Sequence, residues 1–148
     1  MKIIWLQAFY AMLFFIFSGV HAFGQSSVTA QIEVLLKRNN SENITVIKTG
    51  AVIAIKRNNS GNESDDYIPY ADVSYNCVSS SKNGKDTLYE VWMKNRHNTP
   101  SISIWERDKE TKVKAIGISF HIKQDAYTFI RLMQSLDGTK PLESTNGK

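Results

Sequence analysis

The chain has 148 residues, with 18 Lys and Arg against 14 Asp and Glu for a formal charge of +4, and a single cysteine. One cysteine excludes an internal disulfide, so a folded domain here depends on its apolar core. Lys37, Lys56, Lys85, Lys94, Lys114 and Lys140 are scattered among acids, which excludes the massed basic surface of a nucleic-acid binder.

Residues 1–24 read as a secretory leader: Lys2 as a positive start, an apolar run from Ile3 to Val20 interrupted by Gln7, and a small-residue exit at Val20-His21-Ala22. Cleavage is expected after Ala22, with Ala22-Phe23-Gly24 as a second choice, so the mature chain starts at Phe23 or Gln25. An uncleaved membrane anchor is the rival reading, because the run approaches the roughly 20 apolar residues that a bilayer core needs. No cysteine stands at the exit to take a lipid, and no later stretch is apolar for long enough to span a membrane. Residues 25–138 then form one domain, since about this length suffices for one core and not for two. Residues 139–148 read as a flexible tail.

In chain order, Val28, Ala30, Ile32, Val34 and Leu36 occupy every second position, which predicts a strand with one buried face. A helix is the rival, because Val28, Ile32, Leu35 and Leu36 would share one of its faces. A polar turn from Arg38 to Asn43 leads into an extended segment, Ile44 to Arg57, broken or bulged near Thr49-Gly50. Arg57 to Asp66 reads as a long polar loop. Asn39, Asn43, Asn58 and Asn62 each open an Asn-x-Ser/Thr glycosylation pattern, and all four read first as turn residues.

Ala71, Val73, Tyr75 and Cys77 alternate with polar residues in a half-buried strand that begins near Tyr67, with Pro69 marking an edge or bend. Asn83-Gly84 favours a hairpin into a return strand, Thr87 to Lys94. Asn98-Thr99-Pro100 and Arg107 to Thr111 turn the chain into Ser101–Glu106 and then Lys112–His121. Ile122, Ala126, Phe129, Ile130, Met133 and Leu136 recur at spacings of three and four, predicting a helix over 123–137 with Asp125 in its first turn and Gly138 just beyond its end. The expected fold is mainly β with one C-terminal α-helix: an antiparallel meander forming a small barrel or bent sandwich capped by the helix.

Ile68-Pro69-Tyr70-Ala71-Asp72-Val73, followed by hairpins and a closing helix, resembles the bacterial branch of the pleckstrin-homology-like superfamily over most of residues 28–137. The helix lacks the tryptophan usual in the eukaryotic branch. The resemblance implies a phospholipid-binding turn near the first hairpin, which Lys37, Arg38 and Lys48 flank here. The family's basic-x-basic pairing is missing, Glu42 sits within the turn, and an exported protein does not meet cytoplasmic phosphoinositides. Surface lysines are the preferred reading, and contact with anionic membranes ranks last.

The chemistry-bearing residues are sparse. Cys77 shares the alternation of the core residues and so reads as a buried thiol; the rival is a nucleophile activated by His97 or His121. Two mature histidines and one cysteine do not supply a metal set, Asp65-Asp66 and Asp108 with Glu110 read as solvated turn acids, and no catalytic or cofactor-binding motif occurs. Trp92 and Trp105, where exposed, would form an apolar patch for a partner, although core packing is the commoner fate of tryptophan. These features favour a non-catalytic, periplasmic or secreted binding module with a protein or peptide partner and no cofactor. The alternative is a small extracytoplasmic enzyme or inhibitor using Cys77.

Overall fold

A computed structural model describes residues 28–40, 43–59, 61–82 and 86–138. The leader, the tail and the Asn83-Gly84 reversal lie outside the described residues.

Residues 28–39 are helical (α1), which corrects the strand expected from Val28 to Leu36. The helical spacing brings Ile32, Leu35 and Leu36 together in the core, with Val28 packed beside them. Val34, which the strand would have buried with Ile32, is 63% exposed. Asn40 follows the helix, its backbone N–H donating to Leu36 O at 2.9 Å and its side-chain amide to the same oxygen at 3.1 Å.

Among the described residues, eight strands make two antiparallel sheets. The first contains β1 (Asn43–Thr49), β2 (Val52–Asn59), β3 (Asn62–Ile68), β6 (Ile102–Glu106) and β7 (Lys109–Val113), in that order. The second contains β4 (Val73–Lys82), β5 (Asp86–Asn95) and β8 (Ala115–Phe120), in that order. The sheets do not close on each other, so of the two expected shapes the chain adopts the bent sandwich. The meander is interrupted: β3 pairs with β6, and the β4–β5 hairpin between them belongs to the other sheet.

The break expected at Thr49-Gly50 is a full reversal. Thr49 pairs with Val52, and Gly50 takes φ +58°, a backbone angle that glycine reaches without a side-chain clash. The expected Arg57–Asp66 loop is instead a second hairpin, with Asn59 opposite Asn62. Opposite charges across the pair stabilise a stretch that lacks apolar alternation: Lys56 Nζ lies 3.0 Å from Asp65 Oδ2, and Arg57 pairs with Asp66. Asn43, Asn58 and Asn62 therefore sit in strands rather than turns, and Asn39 is buried at the end of α1.

Pro69 stands at a bend, as expected. After it, a 3-10 turn (Tyr70–Asp72) carries the chain from the first sheet to the second, so the strand expected to begin near Tyr67 begins at Val73. The single strand expected over Lys112–His121 is broken at Lys114, whose carbonyl accepts the Asn95 N–H at 2.8 Å. The preceding turn is shorter than Arg107–Thr111: Arg107 and Asp108 reverse the chain with φ of 48° and 63°. At the Asn98-Thr99-Pro100 turn, buried Asn95 accepts from His97 N, Thr99 N and Thr99 Oγ1, and donates to Ser101 Oγ.

The C-terminal helix α2 (Lys123–Leu136) starts where expected, ends one residue before the expected 137, and buries Ala126, Phe129, Met133 and Leu136. Phe129 meets Phe120 of β8 with ring centroids 5.3 Å apart. Ile122 precedes the helix and is exposed, outside the stripe assigned to it. Gly138, at φ +69°, donates to Ser135 O at 3.3 Å just past the end. Residues from both helices and both sheets contribute to one core.

A polar network joins the two helices. Asp125, 3% exposed, accepts from Arg38 Nε at 2.8 Å, from Arg38 Nη2, and from Asn39 Nδ2 at 2.8 Å. Asn39 Nδ2 also reaches Leu35 O at 2.9 Å, and its Oδ1 accepts the backbone N–H of His121 at 2.9 Å. Removing the carboxylate leaves a buried amide donor short of a partner, whereas half-exposed Arg38 regains water. Asp125→Ala is therefore expected to lose about 2–3 kcal/mol of stability, read as a fall in the urea midpoint; an unchanged midpoint would show the network to be dispensable.

Candidate functional site

The three cations singled out in the sequence do not converge. Lys37 lies in α1, 2.6 Å from Glu33 Oε1 one turn earlier. That bond, and the Val46 N–H donated to Glu33 Oε2 at 3.0 Å, hold the Glu33 carboxyl below its ordinary value. Arg38 is bound in bidentate fashion to Asp125. Lys48 in β1 stands 5.4 Å from the centre of the Tyr70 ring, while the Tyr70 hydroxyl donates to Gly50 O at 2.8 Å. Each of these side chains has an intramolecular partner.

Trp92 and Trp105 are both exposed, at 40% and 41%, but they belong to different sheets. Trp92 in β5 faces away from the core and covers Gly117, its partner on β8: a Cβ at Gly117 would stand 3.3 Å from the indole. Its Nε1 donates to Glu90 Oε2 at 3.1 Å. Trp105 in β6 lies on the outer face of the first sheet, between Asp65 and Glu110. The same face carries exposed Ile47 and the partly buried Tyr67, which the sequence reading had not grouped with it.

Cys77 packs against the core from β4, opposite Val91. Burial pushes its thiol up, and the charge of Lys123 offsets this in part. Burial likewise raises the neighbouring Tyr75 phenol, which donates to Tyr70 O at 3.3 Å. His97 and His121 are exposed beside turns. Asp65 and Asp66, expected to be a solvated turn pair, point to opposite faces of β3. Among the described residues no cluster of three ligands could hold a metal ion, and no helix is long and apolar enough to cross a membrane.

The sequence reading missed a concave feature at β8. A cleft of about 240 Å³ opens between the end of α1 (Leu36, Asn40), the inner face of the first sheet (Ile44, Arg57) and β8 (Gly117, Ile118, Ser119). Among the described residues, Arg57 is the one charged residue in its lining. Behind it stands Asp66, 1% exposed, paired with Arg57 Nη2 although neither carboxylate oxygen has an aligned hydrogen bond. A signal was present: Lys56-Arg57 and Asp65-Asp66 flank Ser60-Gly61 almost symmetrically, as oppositely charged arms of a hairpin would.

No family model matches the chain, and no curated protein or solved structure is found to be similar to it. The fold and the cleft therefore define its class: an open two-sheet sandwich with one described helix before its strands and one after them, and a cleft between helix and strand that Arg57 lines.

Burial holds the Asp66 carboxyl above its ordinary 3.8, outweighing the pull of Arg57. The folded chain then binds this proton more tightly than the unfolded chain. Asp66 supports the fold most fully below the unfolded value, and that support is lost as pH rises through the folded value. Wild type is thus expected to lose stability relative to Asp66→Asn as pH rises over that window, read from urea midpoints at stepped pH. A relative gain for wild type would show that the ion pair with Arg57 outweighs desolvation.

Proposed function

We propose that this chain is an exported, non-catalytic binding module whose partner is a protein or peptide. The observation that carries the reading is the cleft at β8: it is open, the nearly buried Leu36, Ile44 and Ile118 close its floor, and the surface it exposes is mainly polar and lies where an incoming chain can reach it. Trp92, on the outer face over Gly117, gives this edge an exposed aromatic shoulder, a side chain favoured in protein interfaces. The raised thiol of Cys77 weighs against the nucleophile reading. The pleckstrin-homology-like resemblance stays part of the proposal and rests on the Ile68–Val73 segment; the two antiparallel sheets and the C-terminal helix have the general form it implies, and α1 is an element that it did not include.

Immobilised protein is expected to retain a partner from the envelope fraction of cells that make it. Trp92→Ser should weaken retention about tenfold, the order expected for an interface aromatic, and Trp105→Ser should leave it unchanged. Retention of nothing by the wild type would sink the binding-module reading. Loss on Trp105→Ser alone would move the site to the first sheet.

Export is tested separately by N-terminal sequencing of the chain made in its own cells. A start at Phe23 or Gln25 in the extracytoplasmic fraction is expected, and a full-length chain confined to the cytosol would refute it.

A further inference from the structure

β8 has a hydrogen-bonded strand on one side only, because the second sheet runs β4-β5-β8. Along an antiparallel strand, the N–H and C=O of successive residues point alternately toward the neighbour and away from it. Two independent bonds fix that alternation here. The Lys114 carbonyl faces β5, where it accepts the Asn95 N–H. The His121 N–H faces the other way, into Asn39 Oδ1 of α1. Ala115, Gly117 and Ser119 share the parity of His121, so their N–H and C=O groups point away from β5. Gly117 and Ser119 line the cleft. At His121 a side chain of α1 satisfies this free edge; two and four residues earlier, the cleft takes the place of that side chain.

We infer that the cleft receives a short extended peptide segment that adds to the free edge of β8 and places a carboxylate side chain against Arg57. Pairing at Gly117 and Ser119 supplies backbone bonds from both residues without regard to sequence. Side chains of the added strand alternate between its two faces. One set turns outward beside Trp92; the other turns inward, toward Ile44 and Arg57 of the first sheet.

Charge selects the inward residue. Among the described residues, Arg57 is the charged side chain of the lining. Its guanidinium carries five N–H donors in a fork and touches Asp66 through Nη2, which leaves donors for a second carboxylate. Leu36, Ile44 and Ile118, each almost wholly buried, form the floor that the residues two places before and after the acid would rest on. The recognised pattern is thus apolar-x-acidic-x-apolar. The inference rests on the binding-module reading and names the partner chemistry of the same cleft.

The test uses 15N-labelled protein and a blocked hexapeptide in which threonine alternates with valine, glutamate and valine. Saturable shifts of the Gly117 and Ser119 amide signals are expected. Glutamine in place of glutamate should weaken binding about tenfold, the order associated with a charge-assisted bond, and Arg57→Gln should do the same to the original peptide. The glutamine peptide needs no protein variant, so the charge requirement is tested even where Arg57→Gln does not fold. N-methylation of the peptide amides that would face β8 should abolish binding. Shifts that bypass Gly117 and Ser119, equal binding of the glutamine peptide, or binding that survives N-methylation would each overturn the proposal. Envelope partners retained equally by wild type and Arg57→Gln, with no peptide binding, would defeat strand addition and leave the binding module standing. Retention of no partner, together with no peptide binding, would defeat both.

Discussion

The carboxylate of Asp125 is the point on which the arrangement of this domain depends. It lies in the first turn of α2, yet its acceptors are filled by Arg38 and Asn39, 87 and 86 residues earlier at the end of α1. Asn39 passes the connection to the first residue beyond β8 through the His121 N–H. Two helices and one strand are thereby fixed against each other by groups that the interior would penalise if they were unpaired. The placement of Leu36 and Asn40 at the cleft follows from this connection, because both belong to the stretch of chain that Asp125 holds.

The domain contains a second buried carboxylate with the opposite character. Asp125 accepts three N–H groups, whereas Asp66 has an ion-pair contact and no aligned hydrogen bond. Burial at similar exposure therefore has different consequences: one site is saturated and structural, and the other has its carboxyl raised above the ordinary value by burial and leaves its arginine facing a cleft. Of the two buried acids, the less satisfied one lies behind the concave surface, as expected where polar groups are kept for something other than stability.

Much of the sheet was legible because alternation is local. Val73 to Cys77 and the β5 strand show a period of two, and the α2 stripe shows a period near 3.6, so these elements were placed within a few residues. α1 was misread because Val28, Ile32 and Leu36 satisfy both periods; the bonds from Arg38 and Asn39 to Asp125 that accompany its helical form are distant in sequence. The β2–β3 hairpin was misread as a loop because Lys56, Arg57, Asp65 and Asp66 lack apolar alternation and are stabilised across the pair by charge. The site suffered from the same limit. Lys37, Arg38 and Lys48 stood out by charge, but their partners Glu33, Asp125 and Tyr70 are visible only in the fold. Gly117 and Ser119 stood out not at all, since what they present is backbone.

The openness of the sandwich has a cause in the same residues. Open sheet edges invite further pairing, and this chain treats its edges differently. Glu33 of α1 takes the Val46 N–H on β1, and β7 is a run of charged residues, Lys109, Glu110 and Lys112. The β8 edge is closed by Asn39 at His121, but along Gly117 and Ser119 it faces a cleft wall that contains Arg57. The inner-face row at this level reads Ile44, Arg57, Ser64 and Glu106 across four strands. Three polar residues in that row deny the two sheets the apolar contact that joins them deeper in the core, where Val46, Ile53, Ile55, Ile68 and Ile102 meet the helices and the second sheet. The cleft is thus a consequence of sequence: the side chains that keep the sandwich from closing are also those that give its opening a charge.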